Sequence, residues 1–138
     1  MTTIIKATTG SEIEKKTSYS RVVAVDNWIF VSNTAGRHPQ TREIPADIGA
    51  QTQQVFANVE RALAGVDARL EDTVVARVFV QFPEDVSAVA EILGDRFRGI
   101  DPALTLTCPP LGAMSYKVEM EITAVRNAGQ CQVTRLTL

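Results

Sequence analysis

The chain has 138 residues and a formal net charge of −2, which predict one domain over residues 1–138 with a hydrophobic core of its own. Hydrophobic residues make up 45% and charged residues 22%, ordinary values for a globular protein, and this balance excludes a general attraction to nucleic acid or anionic membranes. No apolar run approaches the roughly 18 residues of a membrane helix, and the first residues lack a signal-peptide pattern. We therefore expect a cytoplasmic protein without nucleic-acid or membrane partners, and its two cysteines, Cys108 and Cys131, are not spaced for a metal.

The predicted strands are distributed along the whole chain. Runs rich in β-branched and aromatic residues predict strands at 3–7, 20–26, 28–34, 73–82, 104–108 and 116–126, and an alternating run predicts one more at 132–138. Asp26 and Asn27 separate the second strand from the third, and both residue types tolerate a positive φ, so a tight hairpin is expected there. Residues 35–46 contain a glycine, two prolines and mixed charges, which predict a long surface loop.

Two amphipathic helices are predicted between these strands. Apolar residues spaced three and four apart over residues 48–63 predict the first helix, with Asp47 as its N-cap and Gly65 as a left-handed residue at its end. The second helix is expected to begin with Pro83 at its first helical position. Its apolar stripe covers residues 86–97.

The element order β-β-β-α-β-α-β-β predicts an α+β fold with a single mixed β-sheet and two helices packed on one face. In the strands at 20–26 and 73–82, both alternating sets of residues are apolar. A sheet that is apolar on both faces but covered by helices on only one needs a second cover. The pattern therefore predicts a homo-oligomer in which the bare face meets a partner subunit.

The segment SYKVEMEITAV at residues 115–125 alternates like a strand, yet it carries Glu119 and Glu121 on one face. Ionisable residues on strands are mostly solvated or paired, so the pattern alone favours a structural or interface role for both. The only histidine, His38, lies in the long loop beside Arg37, and we interpret both as solvated loop residues. No interleaving of basic and aromatic residues indicates an RNA-binding surface.

Three stretches together resemble the Rid family, also called YjgF or L-PSP endoribonuclease-like. They are YSRVVAVDNWIFVSNTAG at 19–36, ALAGVDARLEDTVVARVFVQ at 62–81, and DPALTLTCPPL with KVEMEITAVR within 101–126. The resemblance implies a chorismate-mutase-like fold and a homotrimer in which the bare sheet faces meet. It also implies small-molecule sites in the three clefts between subunits. From the residues themselves we expect no metal, and we expect no cofactor.

The resemblance further implies a chemistry, the hydrolysis of reactive imines or enamines such as 2-iminobutanoate and 2-aminoacrylate to keto acids and ammonia. In that chemistry an arginine pairs with the substrate carboxylate, and a glutamate positions or activates the attacking water. The glutamate corresponds to Glu119. Tyr19 and Ser32 correspond to residues that line the cleft, and Asn33 stands where the family has a glycine.

The chain departs from the family pattern at the arginine, because the corresponding position holds Leu104. A cleft asparagine and a cysteine are likewise replaced by Ala90 and Leu106. A charge-assisted hydrogen bond contributes roughly 1.5–3 kcal/mol, and leucine supplies none of it while making the cleft more apolar. Arg37 or Lys117 could supply the missing positive charge.

Two hypotheses about function remain open. In the first, the chain is a deaminase-like hydrolase with Glu119 as catalytic base and with Tyr19, Ser32, Asn33 and Leu104 as ligand-binding residues. In the second, it is a non-catalytic trimeric module that binds a small-molecule metabolite. A third possibility, an accessory role, would show as apolar surface outside the clefts.

Overall fold

The computed structural model describes residues 1–138 and contains six strands and three α-helices. In chain order they are β1 Ile4–Ala7, α1 Glu12–Thr17, β2 Val22–Val25, β3 Trp28–Ala35, α2 Ile48–Ala64, β4 Thr73–Val80, α3 Val86–Arg96, β5 Ala103–Thr107 and β6 Val118–Val125. Short 3-10 turns cover Leu70–Asp72, Pro83–Asp85 and Ala128–Gln130. None of the helices is both long and apolar enough to cross a membrane.

The six strands form one sheet in the order β1-β2-β3-β6-β4-β5. All neighbouring pairs are antiparallel except β4 and β5, which run parallel because α3 connects them. Asp26 and Asn27 form the two-residue turn between β2 and β3, and Asp26 takes the positive φ of 51°. The single mixed sheet and the tight hairpin predicted from the sequence are thus confirmed.

Helices α2 and α3 pack on the same face of the sheet and bury its core. The periodic apolar residues of α2 bring Phe56 against the sheet, where it also contacts Phe97 edge-to-face at 5.3 Å between ring centroids. Every second residue of β6 points into this layer, and Met120 and Ile122 are each 1% exposed. Asp47 caps α2 as predicted, because its carboxylate accepts a hydrogen bond of 2.8 Å from the Ala50 amide.

The opposite face of the sheet, which we call the open face, is covered by neither α2 nor α3. Trp28 and Phe30 of β3 are 53% and 45% exposed there. Glu119 and Glu121 of β6 lie on the same face, since the residues between and beside them face the core. The open face is therefore an apolar surface with a few charged groups toward one end of the strands.

Three local features differ from the predictions. The helix α1 was not expected, and Gly65 is not left-handed but has φ −63°. The residue with a positive φ after α2 is Asp67, at 58°, and it follows Val66, whose side chain is buried. Pro83 begins a 3-10 turn that precedes α3 instead of the α-helix itself.

The predicted strand at 132–138 is wrong. An alternating pattern forms a strand only where a sheet edge accepts its hydrogen bonds, and this segment joins no ladder. Its Arg135 instead contacts the carboxylate of Asp101 and the carbonyl of Gly99, and Leu136 is left exposed.

Candidate functional site

A bulge in β3 creates the most unusual part of the open face. The pairing of β3 with β6 shifts between Val31 and Thr34, so that Ser32 and Asn33 together face a single residue of β6. The Ser32 hydroxyl donates to the Ser20 carbonyl at 2.7 Å, which ties the bulge to the start of β2. The bulge turns the Asn33 side chain toward β6, where its amide donates to the carboxylate of Glu119.

The carboxylate of Glu119 is partly buried although it lies on the open face. Burial raises the pKa of Glu119 above its usual value, and the hydrogen bond from Asn33 and the charge of Arg21 oppose this rise without cancelling it. A carboxylate with a raised pKa is a better proton acceptor than a solvated one, which suits general acid–base chemistry. Its neighbour Glu121 differs, because it forms an ion pair of 2.6 Å with Arg77.

Arg21 organises the surroundings of the bulge and was missed by the sequence reasoning. Its Nη1 donates to the carbonyl of Asn33 at 2.9 Å, and its Nη2 donates to the hydroxyl of Tyr19 at 3.0 Å. Its Nε and Nη2 also bond the carboxylate of Glu14 at 3.2 and 3.1 Å. The only available signal was the position of Arg21 two residues after Tyr19, on the same side of an extended segment.

Glu14 is the buried counter-charge of Arg21 and comes from α1. Burial alone would raise the pKa of Glu14, but hydrogen bonds from Thr9 and the charge of Arg21 outweigh it, so the pKa lies below its usual value. Ser11 caps α1 by accepting a hydrogen bond from the Glu14 amide. The short helix thus delivers an ionised carboxylate to Arg21.

Leu104 lies on the other face of the sheet from Glu119. It pairs with Ala76 of β4, which is fully buried on the helix side, whereas Glu119 pairs with Phe79, which alternation places on the open face. On the helix side, Leu104 lines a cavity of about 290 Å³ beside α3, which we call the β5 cavity. Its other lining residues are Ala90, Leu93, Gly94, Phe97, Asp101, Pro102 and Leu106.

The charged residues considered as substitutes for the family arginine are engaged elsewhere in the chain. The Nε of Arg37 donates to the Arg42 carbonyl at 3.1 Å, within the long loop. The ammonium group of Lys117 donates to the Ala46 carbonyl at 2.5 Å. His38 accepts hydrogen bonds from two backbone amides of the same loop. Arg21 is the cation whose charge opposes the rise in the pKa of Glu119.

A buried glutamine aligns the start of β6, and with it Glu119. The amide nitrogen of Gln51 donates to the carbonyls of Pro45 and Ser115 at 2.8 and 3.0 Å, and its oxygen accepts from the Val118 amide at 3.2 Å. Gly36 lies so close to α2 that a side chain there would clash with the backbone carbonyl of Gln51. Two loops and a strand are thus joined at one side chain.

Comparison with known proteins connects this geometry to a family. The model of the family described as Endoribonuclease L-PSP matches residues 9–126. The 2-iminobutanoate/2-iminopropanoate deaminase of Escherichia coli is 30% identical over 111 residues, covering 78% of this chain and 87% of that protein.

Solved structures agree with that match. Rv2704 of Mycobacterium tuberculosis, a member of the YjgF/YER057c/UK114 family, superposes with a TM-score of 0.81 at 29% identity, covering 89% of this chain and 99% of that one. TdcF of Escherichia coli with bound serine superposes with a TM-score of 0.73 at 25% identity, over 78% and 87% of the two chains. These matches confirm the chorismate-mutase-like α+β fold predicted from the sequence.

Proposed function

Because this chain belongs to the Endoribonuclease L-PSP family, also called YjgF or Rid, we propose that it hydrolyses a reactive imine or enamine at clefts between the subunits of a homotrimer. The observation that carries the proposal is the carboxylate of Glu119, which is partly buried, has a raised pKa and is oriented by the Asn33 amide. A relative that is 30% identical carries the name of a 2-iminobutanoate/2-iminopropanoate deaminase.

In the proposed reaction Glu119 acts as the base. Its carboxylate takes a proton from water while the water oxygen bonds to the imine carbon and the C=N electron pair moves to the nitrogen. The protonated Glu119 then gives that proton to the nitrogen, which restores the carboxylate. The resulting carbinolamine loses ammonia as its C–N bond breaks and the C=O bond forms, with a proton passing from oxygen to nitrogen. Water is the only co-reactant, so no cofactor or metal is needed.

A cleft between subunits is supported by the two faces of the sheet. The group formed by Tyr19, Ser32, Asn33 and Glu119, which we call the Glu119 cluster, lies along the open face and the bulge. Leu104 lies on the helix side, so one chain cannot present both to the same ligand. A second copy that brings its β5 edge to the open face of the first would join the two halves.

A homotrimer also gives the open face its missing cover. Trp28 and Phe30 expose about half of their surface in the isolated chain, and aromatic side chains contribute strongly to subunit interfaces. Closed symmetry gives each subunit the same environment and leaves no apolar face unpaired.

Leu104 bears on the kind of substrate. The β5 cavity has Asp101 as its one charged lining residue, and that carboxylate is already bonded to Arg135. A substrate carboxylate would find no free cation among the lining residues, whereas a hydrocarbon group would find Leu104, Leu106 and Phe97. We therefore propose an imine or enamine with an apolar substituent.

The second candidate function is a trimeric metabolite-binding module without turnover. The observation in its favour is that no free cation lines the β5 cavity, because a site that cannot clamp a carboxylate lacks one part of the family's imine chemistry. The serine-bound structure of TdcF illustrates that a family member can hold a small molecule.

Hydrolysis of 2-iminobutanoate by the purified protein separates the two candidates. We would compare wild type with Glu119→Gln, Leu104→Arg and the control Glu121→Gln, which alters the neighbouring carboxylate on the same face. Wild-type activity that is lost only in Glu119→Gln supports the hydrolase. Activity that appears only in Leu104→Arg means an intact cleft diverted from this substrate. Silence from every variant, both with 2-iminobutanoate and with an imine that carries an alkyl group in place of the carboxylate, supports the binding module.

We also propose that the protein acts in the cytoplasm. Cys108 and Cys131 are both exposed and unpaired, a state that suits a reducing cytoplasm.

A further inference from the structure

We propose that Arg21 is a positioning residue for Glu119, acting through the carbonyl of Asn33 on the β3 bulge. The inference rests on the proposed role of Glu119 and adds the residue that fixes its hydrogen-bond partner. Arg21 lies at the start of β2, opposite the bulge, and the Ser32 amide donates to its backbone carbonyl at 2.9 Å.

The guanidinium of Arg21 is occupied entirely by the protein. It bonds Glu14 through Nε and Nη2, the Tyr19 hydroxyl through Nη2, and the Asn33 carbonyl through Nη1. The Arg21 side chain is only 16% exposed, and that of Glu14 is 1% exposed. With its donors used and its charge balanced by Glu14, Arg21 is suited to hold other groups in place and not to clamp a substrate carboxylate.

The contact with the bulge explains how Arg21 acts on Glu119. A bulge leaves backbone groups without ladder partners, and Nη1 supplies a donor to the Asn33 carbonyl at 2.9 Å and to the Thr34 hydroxyl at 3.3 Å. That hydroxyl in turn donates to the Ser32 carbonyl at 2.7 Å. The backbone on either side of Asn33 is therefore held while its side-chain amide meets Glu119.

Other charged groups near Glu119 are arranged differently. Arg77 of β4 and Glu121 of β6 lie on the same face, but they pair with each other. Glu14 is buried and pairs with Arg21. Arg77 is consequently a matched control, because it is an arginine on the open face whose side chain bonds a carboxylate, Glu121, and no group of the bulge.

The test uses NMR of the full-length protein, in which the Asn33 side-chain amide reports the protonation of Glu119. In wild type, the Asn33 amide signals are expected to follow the same pH midpoint as the Glu119 carboxyl carbon. Arg21→Gln leaves Glu14 buried without a partner and can unfold the chain. The informative variants are therefore Arg21→Lys, which keeps the charge but not the planar fork, and the double variant Glu14→Gln with Arg21→Gln, which leaves no buried charge.

The proposal predicts that the Asn33 signals no longer follow Glu119 in either variant, while Arg77→Gln behaves like wild type. With a turned-over substrate, kcat/KM should fall about a hundredfold in both variants, as for a misplaced catalytic group. Preserved coupling in the folded double variant overturns the proposal. Coupling between the Asn33 signals and Glu119 that persists in Arg21→Lys also overturns the proposal, because the charge alone would then be sufficient. An equal loss of coupling in Arg77→Gln overturns it as well.

The NMR readout does not depend on turnover. If wild type hydrolyses nothing but the coupling is lost as expected, the proposed function fails and the positioning role stands. If wild type is active and the coupling persists in the double variant, the hydrolase stands and the role of Arg21 fails.

Discussion

Glu119 and Leu104 leave the sheet on opposite faces, although their strands both border β4. Glu119 pairs with Phe79 and Leu104 with Ala76, three residues apart on β4, and an odd separation reverses the side of a strand. A ligand that touches both residues must therefore lie between two chains. The proposed site therefore requires the proposed oligomer.

Mixed oligomers of two inactive variants should recover activity. Glu119→Gln removes the base from one half of the cleft, and Leu104→Asp places a charge in the other half. Unfolded and refolded together, they form some clefts from two intact halves, and random assortment predicts about a quarter of wild-type activity. Each variant refolded alone is the control. Recovery no greater than the sum of the two controls would show that both residues act from one chain.

Glu119 and Glu14 should respond to pH with opposite signs. The folded-state pKa of Glu119 is raised, so ionising it costs stability as pH rises through that pKa, and Glu119→Gln should raise Tm at pH 7 but not in acid. The folded-state pKa of Glu14 is lowered, so its stabilisation is present at neutral pH and is lost as pH falls through that pKa.

Glu14→Gln is accordingly expected to lower the free energy of unfolding at pH 7 by roughly 2–4 kcal/mol, because it leaves Arg21 without its buried partner. The difference from wild type should shrink toward acid pH. Calorimetry across the pH range measures both variants. Parallel pH profiles for the two would contradict the opposite pKa shifts.

The open face should carry the association of subunits. Trp28→Glu or Phe30→Glu places a charge where an apolar contact is expected, and both should convert a trimer into a monomer in light scattering. Leu136→Glu, in an exposed part of the C-terminal segment, is the control and should remain trimeric. A wild-type monomer would remove the proposed cleft altogether.

Gln51 should matter for stability far more than its polar character suggests. Gln51→Ala leaves the Val118 amide and two loop carbonyls without their hydrogen-bond partner. We therefore expect the free energy of unfolding to fall by roughly 2–4 kcal/mol. Gln53→Ala, on the exposed side of the same helix, should change it by less than about 0.5 kcal/mol. Urea denaturation compares them, and equal effects would remove the role assigned to the buried amide.

The features that depend on local periodicity were predictable from the sequence. A few neighbouring residues are enough to predict each of these features. They are the apolar spacing of α2, the capping carboxylate of Asp47 and the β-branched run of β4. Apolar residues on both faces of the strands also predicted the uncovered face that the structure exposes. The same reasoning mispredicted residues 132–138, because alternation describes a strand without providing its partner.

The contacts between distant residues depend on the folded sheet and could not be predicted from the sequence. Asn33 reaches Glu119 across 86 positions of sequence, and it does so because a bulge shifts the register of β3. Arg21 gained its importance from contacts with α1 and the bulge, neither of which the sequence pattern predicted. Leu104 faces away from Glu119 because of its pairing with β4. Register and strand order arise from long-range packing of the whole sheet, and a one-residue change in either reverses the face that a side chain occupies.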